Sequence, residues 1–204
     1  MRGPDFRKAC WVHLEALHLH YGIEKGVEKI AELGFEEVLP NVSTVGGPLY
    51  PSAVRPPNPR FRGLDLVEPF VREARKRGLR VHAWIVSLCY PNPEFESAHK
   101  ELYVVNRLGA SCVDNPPYVP YYKWLCPSRT AVRDDLAQLF LEVAERYEVD
   151  GLHFDYIRYP DLLLPKALRS KYPGVPIEDL VKPEFDYCYC SHCRQKFLEE
   201  KGLD

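Results

Sequence analysis

The chain has 204 residues, 46% of them hydrophobic and 27% charged, which is enough apolar material for a packed core and excludes wholesale disorder. Its 27 Lys and Arg against 29 Asp and Glu give a formal charge of −2, so there is no basic field to gather a polyanion and no nucleic-acid partner is expected. No apolar run approaches the roughly 18 residues of a membrane span, and the opening MRGPDFRKACWVHLE lacks the unbroken apolar stretch of a signal peptide.

In chain order, the first predicted strand is CWVHLEAL (10–17), followed by a helix over 23–33. There Ile23, Val27, Ile30 and Ala31 recur at helical spacing and Gly34 supplies the stop. A second strand over 35–41 leads into a Pro-rich loop over 42–62. The next helix, 64–77, carries Val67, Phe70, Val71 and Ala74 on one stripe and ends at Gly78. After the third strand, 79–86, comes a loop over 87–127, far longer than an ordinary connection. A helix over 130–147 repeats Val132, Leu136, Leu139, Phe140, Val143 and Tyr147, and DGLHFDY (150–156) is the fourth strand. Beyond it, short helices are expected near 165–171 and 194–201, with no further strand.

Strands separated by helices imply α/β architecture, a parallel sheet with right-handed crossovers. An open doubly wound sheet and a (β/α)8 barrel both fit. No GxGxxG or GxxxxGK[ST] follows the first strand, so the phosphate-cradling open sheets lose support. A full barrel takes about 250 residues and eight units. The expectation is therefore a TIM-type (β/α)8 barrel of which about the first four units are present. It would form one partial domain over 1–204, with an insertion after strand four (156–204) that carries a cysteine cluster. The two open edges of such a half-barrel predict self-association.

Strand alternation sorts Val81, Ala83 and Ile85 from His82, Trp84 and Val86, and Leu152 and Phe154 from His153 and Asp155. In the first strand it sorts Val12, Leu14 and Ala16 from Trp11, His13 and Glu15. The aliphatic sets would pack under helices and the polar sets face the barrel interior. The last inward positions are Glu15, Asn41, Val86 or Ser87, and Asp155, at the carboxyl strand ends where barrel active sites are built. A carboxylate there costs desolvation unless paired or used, which singles out Asp155. Pairing with Arg158 would hold its pKa low, as a nucleophile or stabiliser needs, whereas unpaired burial would raise it and suit a general acid. His13, His82 and His153 read first as hydrogen-bonded rings filling the interior.

The chain is rich in rings, with 13 Tyr, 9 Phe and 3 Trp. Tyr90, Phe95, Tyr103, Tyr118, Tyr121, Tyr122 and Trp124 all fall in the long loop. Their faces suit the CH faces of pyranose rings, with Trp124 the first subsite candidate; the competing reading is that they pin the loop. Tyr156 and Tyr159 offer further rings and hydroxyls. Seven cysteines, an odd number, argue against a fully paired disulfide framework and leave the compartment open. In CYCSHC, Cys188, Cys190 and Cys193 have the spacing of a structural zinc site, with His192 or Cys126 as fourth ligand; a disulfide and free thiols are the alternatives. His18 and His20, on one side of an extended segment, would grip a catalytic ion together with His82, His153 and Asp155 in a metal-dependent barrel hydrolase.

The segments VLPNVSTVGGPLYPS (38–52), VHAWIV (81–86), LCPSRTAVRDDL (125–136), VDGLHFDYIRYP (149–160) and CYCSHCRQKF (188–197) occur in an order that makes the chain resemble the glycosyl hydrolase-like 10 family over about residues 8–200. The resemblance implies a (β/α)8 barrel hydrolysing glycosidic bonds of a poly- or oligosaccharide, with some relatives acting on bacterial cell-wall glycan. It also implies a carbohydrate partner, no cofactor for catalysis, and a cell-envelope or extracellular place for a full-length parent. Asp155 matches the family's strand-four Asp, the candidate for catalysis. Asn41, Tyr50, His82, Trp84, His153, Tyr156 and Arg158 match its pocket-lining positions. Glycosidases need two carboxyl groups, and family members continue through four more units. The partner of Asp155 is thus expected in those units, with Glu15 a local substitute, and activity is expected of the full-length parent rather than of these residues alone. A non-catalytic carbohydrate-binding barrel is the alternative.

Overall fold

The structure, a computed structural model, describes residues 7–172, 174–176, 178 and 180–202. It divides into two compact units: residues up to Val86 with Ala137–Asp155, and Ser87–Leu136 with the residues from Tyr156 onward.

The first unit holds five strands, β1 (Ala9–Val12), β2 (Glu37–Thr44), β3 (Gly47–Pro48), β4 (Arg80–Val86) and β5 (Gly151–Asp155). β1, β2, β4 and β5 are parallel neighbours in that order, and β3 doubles back antiparallel on β2. The helices are α1 (Leu14–His20), α2 (Ile23–Glu32) and α3 (Val67–Lys76). The stripes read from the sequence are the ones buried: Val27 of α2 and Val67, Phe70, Val71 and Ala74 of α3 share one core with Val38, Val81, Ala83 and Ile85 of the sheet. Leu139, Val143 and Tyr147 join the same core. Each such side chain contributes about 1.5–3 kcal/mol of burial for a Val, Leu, Ile or Phe. Parallel strands with helices packed on one face make this α/β architecture.

The first strand is shorter than its sequence suggested. β1 stops at Val12, and the predicted continuation to Leu17 is a helix. The reason is spacing: Leu14 is fully buried and Leu17 packs on the core, a separation of three that suits a helix face. Glu15 lies in the first turn and His18 and His20 in the last, the charge order a helix dipole favours. β2 runs longer than expected, to Thr44, because β3 pairs with Ser43 and Thr44. Its pairing with β4 shifts register between Asn41 and Ser43, a bulge of the kind found beside functional sites.

Among its described residues the second unit has no long strand. It contains α4 (Pro93–Ala98), the start of α5 (Thr130–Arg146), α6 (Lys166–Arg169) and α7 (Ser191–Lys201). Isolated bridges join Cys89 to Trp124, Tyr103 to Leu125 and Asn106 to Tyr187. Asn92 Oδ1 caps α4 by accepting from the amides of Glu94 and Phe95. Leu88, Tyr90, Tyr103, Val104, Trp124 and Leu125 are buried together with Cys112 and Cys126. The loop after β4 and the segment after β5, separate features in the sequence reading, thus belong to one unit. Among the described residues no helix is long and apolar enough to cross a membrane.

Candidate active site and thiol cluster

On the sheet face away from the core, register sets side chains in rows. Trp11 pairs with Leu39, and His82 with Gly151. Asn41 pairs with Trp84, and Trp84 with His153; Val86 pairs with Asp155 at the carboxyl end. Asp155 is the last residue of β5 and is partly buried. Its Oδ2 accepts a hydrogen bond from Trp84 Nε1 at 3.0 Å. Trp84 is itself fixed, because its carbonyl accepts from Asn41 Nδ2 at 3.2 Å and the His13 ring meets its indole edge-on at 5.1 Å. Asn41, buried, thus ties the backbone of Trp84 to that of Ser43. His153 Nε2 accepts from Trp11 Nε1 at 3.2 Å. Since an indole only donates, the proton of a neutral His153 ring sits on Nδ1. The carboxyl group is thus oriented by an indole that the His13 ring meets at 5.1 Å and the His153 ring at 6.4 Å.

Several predicted site residues lie elsewhere. His82 pairs with Gly151, four residues before Asp155, or about 13 Å along the strand at 3.3 Å per residue. It sits 3.5 Å from Glu37 Oε2. A Cβ on residue 151 would come within 2.7 Å of its ring, so glycine there makes room for it. With Cys10, Trp11, Glu37, Leu39 and His153 it lines a cavity of about 430 Å³ at the amino-terminal half of the strands. His82 is therefore not at the Asp155 end. Glu15 does not end a strand either: it is on α1, its Oε1 accepting from Asn58 Nδ2 at 2.8 Å, and the same Nδ2 donates to Thr44 Oγ1 at 3.1 Å. That ties Glu15 to the carboxyl end of β2 from outside the sheet.

Tyr50 is fully buried. Its hydroxyl donates to Glu142 Oε2 at 2.9 Å, Ser52 Oγ to the same oxygen at 2.6 Å, and the Ala53 amide to Oε1 at 2.6 Å. Burial, reinforced by the Glu142 charge, pushes the Tyr50 hydroxyl pKa far up. The LYPS stretch is thus an anchor for the Pro-rich loop. Sequence reasoning missed Glu142, although a carboxylate one residue before buried Val143 and three after buried Leu139 stands at the edge of an apolar stripe and needs a partner.

In the second unit, Trp124 is completely buried and offers no face to a sugar. Tyr122 and Tyr156 meet its ring at 5.0 and 5.3 Å, and the Arg158 guanidinium lies over it at 5.0 Å. Arg158, the expected partner of Asp155, is engaged by Asp161 at 3.2 Å and donates to Tyr122 Oη at 3.3 Å. Burial, with the hydrogen bond to Asp161, raises the Tyr122 pKa. Tyr90, Phe95 and Tyr103 are buried too, so most loop rings form a core; Tyr118 is half-buried and Tyr121 is 49% exposed. Tyr159 is 38% exposed, its hydroxyl pushed up to about 12 chiefly by burial. Tyr156, directly after Asp155, has φ 51, a left-handed backbone that a bulky residue rarely takes.

His18 and His20 lie on a helix, where residues two apart point to opposite sides, and His18 packs on Phe61 at 6.4 Å. The ligand pair of the metal-dependent reading is therefore not formed. Among the described residues, one group of three or more His, Cys, Asp or Glu ligand atoms is close enough to share an ion: Cys126, Cys188, Cys190 and Cys193, all within 4.8 Å of one another. His192 Nε2 instead lies 3.1 Å from the Ser128 carbonyl, so of the two fourth ligands expected, Cys126 is the one that joins.

The parallel α/β fold is one that solved structures of glycosidases share. Alpha-L-fucosidase isoenzyme 2 from Paenibacillus thiaminolyticus matches 98% of this chain and 27% of its own length at TM-score 0.66 and 16% identity. An alpha-amylase from Geobacillus thermoleovorans, complexed with acarbose, matches 81% of this chain and 42% of its own at TM-score 0.52 and 14% identity. In sequence, Glycosyl hydrolase DigH of Escherichia coli (strain K12) is 28% identical over 156 residues, 66% of this chain and 34% of the relative. The family model described as Glycosyl hydrolase-like 10 matches residues 13–163. The chain belongs to the glycosyl hydrolase-like 10 family, and it spans about a third of the length of the curated relatives it matches. The match ends before Cys188, Cys190 and Cys193.

Proposed function

We propose that the protein is a glycoside hydrolase of a poly- or oligosaccharide, with bacterial cell-wall glycan the first substrate to test. In this reading Asp155 is a catalytic carboxyl group and the four parallel strands are units of a (β/α)8 barrel, the sheet face bearing Trp84, His153 and Asp155 turned to its interior. The observation that carries it is the Asp155 carboxyl group at the carboxyl end of β5, oriented by Trp84 Nε1 at 3.0 Å, in a chain of this family. The left-handed backbone of Tyr156 supports it, since bulky residues are held in such conformations chiefly where function demands it.

Hydrolysis requires a second carboxyl group, about 5–5.5 Å away for retention of configuration and about 6.5–9.5 Å for inversion. Glu15 is already held by Asn58, so the reading assigns that group to a later barrel strand. The test uses the protein expressed from its full reading frame, incubated with cell-wall glycan strands and with soluble oligosaccharides, and scores new reducing ends. Asp155→Asn is expected to lower turnover by about 10²–10⁴-fold, the usual worth of a positioned acid or base, while glycan binding persists. Unchanged turnover in that variant overturns the assignment. Glycan binding without turnover by the unaltered protein would make it a binding barrel instead.

A further inference from the structure

We propose that Cys126, Cys188, Cys190 and Cys193 bind one zinc ion as a closed tetrathiolate site that fastens the segment after β5 to the segment after β4. The geometry comes first. All four Sγ atoms lie within 4.8 Å of one another, with Cys126 and Cys193 at 3.4 Å. A zinc tetrahedron with Zn–S bonds of about 2.3 Å has sulfur–sulfur edges of about 3.8 Å, inside that range. One disulfide would use two of these thiols and leave two others crowded beside it; one ion uses all four.

The surroundings offer hydrogen-bond donors and a helix start to metal-bound sulfur. Cys190 is the N-cap of the eleven-residue α7 and Cys193 lies in its first turn, where the helix dipole favours negative charge. Backbone hydrogen bonds from Val105 and Cys190 reach the Cys188 sulfur, and one from Ser128 reaches Cys126. Such outer bonds orient metal-bound sulfur and spread its charge. Cys126 and Cys190 are buried, whereas Cys188 and Cys193 line a cleft of about 460 Å³ together with Ser128, Tyr159 and Arg194, a path by which an ion enters. Four protein ligands leave no open position, so the site is structural rather than catalytic.

The segment also needs such a fastening. Among the described residues from Tyr156 onward, only Pro160, Leu164, Arg169 and Cys190 are buried. Leu162, Leu163, Leu180, Val181, Phe197 and Leu198 all remain exposed. A segment with so little apolar burial gains order from a metal or covalent staple, as small scaffolds do.

The test is independent of glycosidase activity. The purified chain, grown with zinc, is expected to hold about one zinc per chain by elemental mass spectrometry. Replacing the zinc with cobalt(II) should give the charge-transfer and ligand-field bands of a tetrahedral thiolate site. Cys188→Ser and Cys190→Ser should lose the metal and gain protease cleavage within 156–202, while Cys112→Ser keeps it. Zinc well below half an equivalent that reconstitution does not raise, or an intact mass showing these cysteines as disulfides, overturns the proposal. Should the serine variants fail to fold, the zinc content and cobalt spectrum of the unaltered chain still decide it.

Discussion

Replacing Glu142 by Gln asks whether the Pro-rich loop after β2 is held by a single carboxylate. Glu142 receives the Tyr50 hydroxyl at 2.9 Å, the Ser52 hydroxyl at 2.6 Å and the Ala53 amide at 2.6 Å. Hydrogen bonds to a charged group are each worth about 1.5–3 kcal/mol, and a buried polar group left unpaired costs about 1–3 kcal/mol. Glutamine keeps one acceptor oxygen, which can stay on the Ala53 amide, and turns an NH2 toward the two hydroxyls. Ser52 Oγ already accepts from the amides of Val54 and Arg55, so it has little capacity to accept again. Tyr50, wholly buried, then loses its charged acceptor. Glu142 is only partly buried, so water trims the cost, and the expected loss is about 2–4 kcal/mol. Tyr50→Phe, which removes one bond and its donor together, should cost about 1–2 kcal/mol, and the double variant should show a coupling of about 1 kcal/mol. Urea unfolding of the four proteins, compared at equal m-value, measures all three figures. A Glu142→Gln midpoint equal to that of the unaltered chain, or strictly additive losses, would refute the clamp.

Two further outcomes follow from the same region. Gly47 has φ +117, and an added Cβ would meet the Pro56 carbonyl oxygen at 2.7 Å, while Gly63 has φ +84 and open space. Gly47→Ala should therefore cost about 2 kcal/mol or more and Gly63→Ala about 1 kcal/mol; equal losses in urea would contradict the close approach. The hydroxyl pKa values of Tyr50 and Tyr147 are both raised from 10.0, first by burial and then by Glu142 and Asp65. Their contribution is complete below that value; above it the unfolded chain sheds protons that the folded chain keeps, so stability falls by up to about 1.4 kcal/mol per pH unit for each. Urea midpoints taken from about pH 9 to 11 should decline, and less steeply in Tyr147→Phe; parallel curves would exclude the assignment.

The elements legible in the sequence were those whose spacing is unambiguous. Val67, Phe70, Val71 and Ala74 recur at helical intervals, and Val81, Ala83 and Ile85 alternate, and both sets are the ones in the core. The stretch 14–20 was harder because LEALHLH satisfies alternation and helical spacing at once, and only the packing of Leu14 and Leu17 decides between them. Parity makes Asp155 the last inward residue of the fourth strand, and β5 ends there, whereas its orienting partner, Trp84, can be known only once β4 and β5 are in register. The aromatic loop misled for a different reason: ring content says nothing about which side of a loop faces solvent, and Trp124 is fully buried. The thiols were legible from Cys-x-Cys-x2-Cys, but the choice of Cys126 over His192 depends on a chain approach across more than sixty residues.

Each unit is assembled from two stretches of chain, and this bears on synthesis. β4 ends at Val86, while its partner β5 does not begin until Gly151. At about 5–20 residues per second on the ribosome, the outer edge of β4 waits several seconds for its neighbour. Through that interval the amides and carbonyls of Arg80–Val86 that face away from β2 form an unfilled template, open to any extended segment that arrives first.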